Sequence, residues 1–150
     1  MGDLQYGRTI PSLLYGLAKY NNITINLIAP DRLKIRKGVE YRLEEMNVKF
    51  SQHDNVKEVI NELDVLYVTR IQKERFPDPM DYERLKGSYK ITAELLENVK
   101  DHFIILHPLP RTTEIAYEVD KLPCAKYFVQ AKNGVWVRMA IILKLLEEFK

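Results

Sequence analysis

Cysteine is almost absent from this 150-residue chain: Cys124 stands alone, so no internal disulfide can form. With only three scattered histidines, no zinc-ligand spacing arises either. Strong charge of one sign is also missing. Lys and Arg number 23 against 21 Asp and Glu, a formal net charge of +2, which excludes the broad basic footprint needed to bind nucleic acid or an anionic membrane. The most apolar stretch, VWVRMAIILKLLEEF (135–149), is interrupted by Arg138 and Lys144, and no basic-then-apolar leader opens the chain. Glycine is sparse, and its six copies form neither a G-x-G-x-x-G fingerprint nor a P-loop, which argues against a nucleotide-binding domain. No internal repeat or low-complexity segment is visible. These absences predict a soluble protein of a reducing, cytoplasmic compartment.

At 46% hydrophobic content, a chain of this length can bury one core, so a single domain is expected. Short β-rich runs occur at ITINLIAP (23–30), VKFSQ (48–52), VLYVT (65–69) and FIILHPL (103–109), and they read as buried strands. Between the first two, Val39, Leu43 and Met46 recur at helical spacing. Before the third, Val56, Val59, Ile60 and Leu63 do the same. Strands that are nearly continuously apolar, alternating with one-sided helices, predict a doubly wound, Rossmann-like α/β fold: a parallel sheet with helices on both faces.

The two ends depart from that pattern. A helix is expected almost at once, with Pro11 in its first turn and Leu13, Leu14, Leu17 and Ala18 on its face. Only Met1 precedes the Gly-Asp turn that leads into it, so the sheet is expected to lack its first strand. At the other end the Asn133-Gly134 pair is read as the entry to a final helix, apolar on most of its surface from Val135 to Phe149. Trp136 is assigned to the core.

Ligands of open α/β sheets bind beyond the carboxyl ends of the strands, and four segments fall there. GDLQYGRT (2–9) enters a helix and offers main-chain amides and Arg8 to an anion. An ordinary helix start with a surface arginine fits it as well. TRIQKER (69–75) follows the third strand. There Arg70 can present a planar fork and Gln72 an amide to one carboxylate, with Glu74 locking the guanidinium, although a charged loop is often only a wet one. HPLPR (107–111) is stiffened by Pro108 and Pro110, and a Leu-Pro bond is one of the few places where a cis peptide is inexpensive. Such a turn can aim the Leu109 carbonyl into the crevice, or merely end a strand. His107 within it is a possible general base and more commonly a satisfied structural group. PDPMDYERLKGSY (77–89) is long enough to move as a lid, or to pack through Tyr82 and Leu85. His53 and His102 read as surface residues and Cys124 as a small buried one.

In this order GDLQYGRT, VTRIQKERF, LHPLPR and the final helix closely resemble the aspartate-binding half of aspartate carbamoyltransferase catalytic chains, along essentially the whole sequence. Ornithine enzymes are less similar, since they carry an HCLP turn. The resemblance implies that Arg8 binds the α-carboxylate of L-aspartate. Arg70 and Gln72 would bind its side-chain carboxylate, Glu74 would orient Arg70, and Leu109, on a cis bond to Pro110, would accept from the α-amine. Arg75 and Tyr82 would belong to a closing loop. It implies no cofactor, a homotrimer in the complete enzyme and possible regulatory chains. Two positions depart from the family pattern, Gln5 for a lysine and Thr113 for an acid that would accept from Tyr82. The larger departure is that nothing matches the carbamoyl-phosphate domain and its S-T-R-T-R loop, so the chain is expected to be a fragment, inactive alone. An assembly module of the same fold, without catalysis, is the alternative.

Overall fold

The computed structural model describes residues 1–76 and 78–148. Pro77 of the lid segment and Phe149 of the final helix lie outside the described residues. The order is α1 (Thr9–Leu17), β1 (Thr24–Ile28), α2 (Lys37–Glu45), β2 (Lys49–His53), β3 (Val65–Tyr67), α3 (Pro79–Leu85), β4 (Ile104–Leu106) and α4 (Tyr127–Glu148), joined by short 3₁₀ turns. Both strand pairs are parallel: β1 with β2, and β3 with β4. Parallel strands joined through helices make this the expected α/β fold, with its sheet parted into two pairs.

Residues 1 and 2 lie at the parting. The Met1 amine donates to the Tyr67 carbonyl at 2.8 Å, and the Thr69 amide donates to the Met1 carbonyl at 3.0 Å. The Gly2 amide donates to Ile28 on the other pair at 3.0 Å. One dipeptide thus makes ladder bonds to the ends of both β1 and β3. Gly2 has φ +114°, and a side chain there would meet the Thr69 carbonyl and come within 2.6 Å of the Tyr89 hydroxyl. Only glycine fits so close an approach.

Two apolar clusters flank the strands. Successive residues of a strand face opposite ways, so Leu27 joins Leu4, Ile10, Leu14, Leu33, Val39 and Leu43 beneath α1 and α2, while Ile28 joins Leu66, Val68, Phe103, Ile105, Ile115 and Val119. Full burial of a Leu or Phe side chain stabilises by roughly 1.5–3 kcal/mol.

Four expectations need correction. VKFSQ is not a buried strand: β2 is paired only with β1 and is largely exposed. Its polar side chains form a surface network in which the half-buried His53 contacts Ser51, Asn26 and Glu58. Residues 55–64 bury Val56, Val59, Ile60 and Leu63 as the periodicity requires, but as two 3₁₀ turns rather than a helix. A capping box between Asn55 and Glu58 starts the first turn, and Val59 at φ −134° interrupts it. The final helix begins at Tyr127, six residues before Asn133, because Lys126 donates to the Ile105 carbonyl at 3.0 Å and anchors the helix start on β4. Strong helix formers then carry it through Gly134. Trp136 is 60% exposed and is not core, since most of α4 projects away from the domain. No helix among the described residues is long and apolar enough to cross a membrane.

Candidate functional site

Three segments beyond the ends of β3 and β4 build the site, and an acid that sequence reading passed over joins two of them. Asp3 is fully buried. Its Oδ1 accepts from the Tyr6 amide at 2.7 Å and its Oδ2 from the Gln72 amide at 3.2 Å. Burial pushes the Asp3 carboxyl up, and the amides and Arg75 only partly offset it. The turn that carries Arg8 is thereby fixed against the loop that carries Arg70 and Gln72. Two further contacts close the same joint: Arg75 donates to the Tyr6 carbonyl at 3.2 Å, and the rings of Tyr6 and Phe76 lie 5.1 Å apart. Arg8 itself is exposed at the N-cap of α1.

In the second segment the expected pairing is present. The Arg70 guanidinium meets both carboxylate oxygens of Glu74, with Nη1 to Oε2 at 3.0 Å. Arg70 draws the Glu74 carboxyl down to about 2, well below the usual range. The pair fixes the guanidinium plane, as a fork that must face a second carboxylate requires. Thr69, just before it, is buried, and its carbonyl accepts from the Tyr89 hydroxyl at 2.6 Å. Tyr82 on α3 packs edge-on to Phe76 with centroids 6.0 Å apart, under Lys73. An ion pair between Arg32 and Asp81 ties α3 to the turn before α2.

The third segment is the HPLPR turn. The Leu109–Pro110 bond is cis and Leu109 has φ +55°. His107 is buried and donates no proton to solvent. Its Nδ1 accepts from the Leu109 amide at 2.8 Å, and Nε2 lies 2.7 Å from Glu114 Oε1. Glu114 also accepts from the Thr112 amide and hydroxyl and from the Thr113 amide. Burial alone would raise the Glu114 carboxyl, but His107 and these donors outweigh it and bring it to about 2. His107 is therefore a satisfied buried group and not a base poised toward the crevice. Thr113 is exposed, and its amide serves Glu114. Pro108 and Pro110 are exposed at the rim. Arg111 turns away, into a cluster with Asp120 and Tyr127.

Asp3 thus joins the turn that carries Arg8 to the loop that carries Arg70, and Glu74 holds the Arg70 guanidinium in plane. Residues 1–145 match the aspartate/ornithine carbamoyltransferase, Asp/Orn binding domain. The chain belongs to that family. Among carbamoyltransferase relatives, the aspartate carbamoyltransferase catalytic subunit of Methanocaldococcus jannaschii is 51% identical over 148 residues, covering 99% of this chain and 48% of the relative. That of Methanocorpusculum labreanum is 51% identical over 145 residues, with 97% and 48% covered. The solved catalytic subunit of the M. jannaschii enzyme superposes with a TM-score of 0.89 at 50% identity, covering 98% of this chain and 48% of that one. The Trypanosoma cruzi aspartate transcarbamoylase, solved in complex with carbamoyl phosphate and aspartate, superposes at 0.83 with 36% identity, covering 94% and 47%. The chain thus spans about half the length of the carbamoyltransferases it matches.

Asp3, Tyr89 and the His107–Glu114 pair were missed as site-building groups. The signal for Asp3 was an acid set between Gly2 and Leu4 at a chain start with no cation beside it. A buried carboxylate so placed has to find main-chain donors.

Proposed function

We propose that this chain is the aspartate-binding half of an aspartate carbamoyltransferase. It binds L-aspartate and acts with a carbamoyl-phosphate-binding domain outside these 150 residues, in the early steps of pyrimidine synthesis. Arg8 takes the α-carboxylate, while Arg70, oriented by Glu74, and Gln72 take the side-chain carboxylate. Leu109 accepts from the α-amine beside Pro108 and Pro110, and Arg75 and Tyr82 hold the loop that closes over the site. The amine nitrogen bonds to the carbonyl carbon of carbamoyl phosphate, phosphate leaves with the electron pair of the broken C–O bond, and the nitrogen gives up a proton. This reading assigns the polarising of that carbonyl to the other domain, and to this chain the orientation of the nucleophile. The observation that carries the reading is Asp3, whose two oxygens hold the Arg8 turn and the Arg70 loop at one place. A cytoplasmic homotrimer, with or without regulatory chains, is the assembly this reading implies.

Calorimetric titration tests it. L-aspartate is expected to bind the isolated chain weakly, and N-phosphonacetyl-L-aspartate to bind tightly only when a carbamoyl-phosphate half is added. Arg70→Ala should abolish both. A chain that ignores L-aspartate with and without the added half refutes the reading. The exposed apolar surface of α4, including Trp136, Ile142 and Leu146, supports a second reading as a non-catalytic assembly module. Binding only to partner protein, with no ligand bound, is the outcome that favours it.

A further inference from the structure

We propose that His107 is a positioning residue for the amine of the substrate, acting through the Leu109 main chain as a neutral imidazole with its proton on Nε2. The inference rests on the aspartate reading and goes beyond it, since that reading gives His107 no part. An amide donates only to a ring nitrogen that carries no proton, so the 2.8 Å contact from the Leu109 amide leaves Nδ1 bare. Nε2 then carries the hydrogen and donates it to Glu114 Oε1 at 2.7 Å. Glu114 is held in turn by Thr112 and Thr113 on the far side of the turn. The imidazole therefore spans the HPLPR bend from inside and ties the peptide entering Leu109 to the segment leaving it. The bend is also fixed to α4, because the His107 amide donates to Gln130 Oε1 at 2.8 Å. Holding the Leu109 amide fixes the plane from which its φ of +55° sets the following carbonyl.

A purely structural histidine would support the fold without distinguishing ligands, whereas this role predicts a ligand-specific effect. Succinate has both carboxylates of aspartate and lacks the amine, so the ratio of their affinities for the full chain isolates what the amine contributes. His107→Asn keeps an acceptor near the Nδ1 position and should keep the preference for aspartate. His107→Gln keeps a donor near Nε2, loses the acceptor, and should lower the preference about tenfold, as loss of one charge-assisted hydrogen bond would. Equal preference in both folded variants overturns the inference. In the unmutated chain, nitrogen NMR of the imidazole should show a bare Nδ1 and a protonated Nε2. The opposite tautomer also overturns it, whether or not either variant folds. Failure of both ligands to bind the unmutated chain refutes instead the aspartate reading on which the ligand arm stands, and the nitrogen spectrum still decides the tautomer.

Discussion

Replacing Asp3 by alanine removes the acceptor from two main-chain amides at once, those of Tyr6 and Gln72. A buried donor left without a partner costs about 1–3 kcal/mol, which sets an upper range of about 2–6 kcal/mol for the pair. Part of this is returned, because burial disfavours the carboxylate and raises its pKa. A net loss of about 2–4 kcal/mol is therefore expected at neutral pH. Asp3→Asn keeps one carbonyl oxygen and turns an amino group on the other amide, so it should fall between the wild-type chain and Asp3→Ala. The sign of the pH effect follows from the raised pKa. Folding favours protonated Asp3, so its contribution is most favourable in acid and declines as pH rises through the folded pKa. The asparagine variant should lack that decline. Urea denaturation gives the stabilities, and titration with L-aspartate reads the second consequence, since the Arg8 turn and the Arg70 loop lose their shared clasp. Affinity should fall more than tenfold in Asp3→Ala while the folded fraction at zero urea stays high. Unchanged urea midpoints, or a destabilised chain with undiminished aspartate affinity, would refute the account of Asp3 as the joint between these segments.

Two other outcomes are open to direct measurement. In a chain whose Met1 amine is free, burial lowers that amine from 8.0 to about 5. The unfolded chain then holds a proton that the folded one does not, so stability is full above pH 8 and falls by about 1.4 kcal/mol per unit as pH drops toward 5. Urea midpoints across this window should show the slope, and the Nα-acetylated chain should lack it. Trp136, the single tryptophan, stands exposed on α4, so its fluorescence in dilute solution should be red-shifted and readily quenched by acrylamide. A blue-shifted, protected emission would mean that α4 is covered by another molecule.

The sequence made legible what depends on neighbours a few residues apart. The strand positions at 24–28, 65–67 and 104–106, the first helix and the Arg70–Glu74 pair all follow from local spacing, and each is present. Residues 55–64 show where spacing fails: the apolar periodicity fixed which side chains are buried, but the Asn55–Glu58 cap and the extended φ of Val59 decided the kind of turn. The start of α4 was misplaced because Asn-Gly is a turn signal only where nothing else holds the backbone. Here the anchor is a hydrogen bond from Lys126 to β4. Trp136 read as core because its apolar neighbours are numerous, and the partner such a helix expects lies nowhere among the described residues. Asp3 was illegible since its partner at Gln72 is 69 residues away. The His107–Glu114 strut, although local in sequence, becomes visible only once the HPLPR bend folds back on itself.

Thr69, whose amide hangs from the carbonyl of Met1, is the residue immediately before Arg70. The placement of the Arg70 guanidinium is therefore suspended from the Met1–Gly2 dipeptide, which hangs in turn from the other pair of strands. A change in that dipeptide therefore reaches the Arg70–Glu74 pair without touching either side chain.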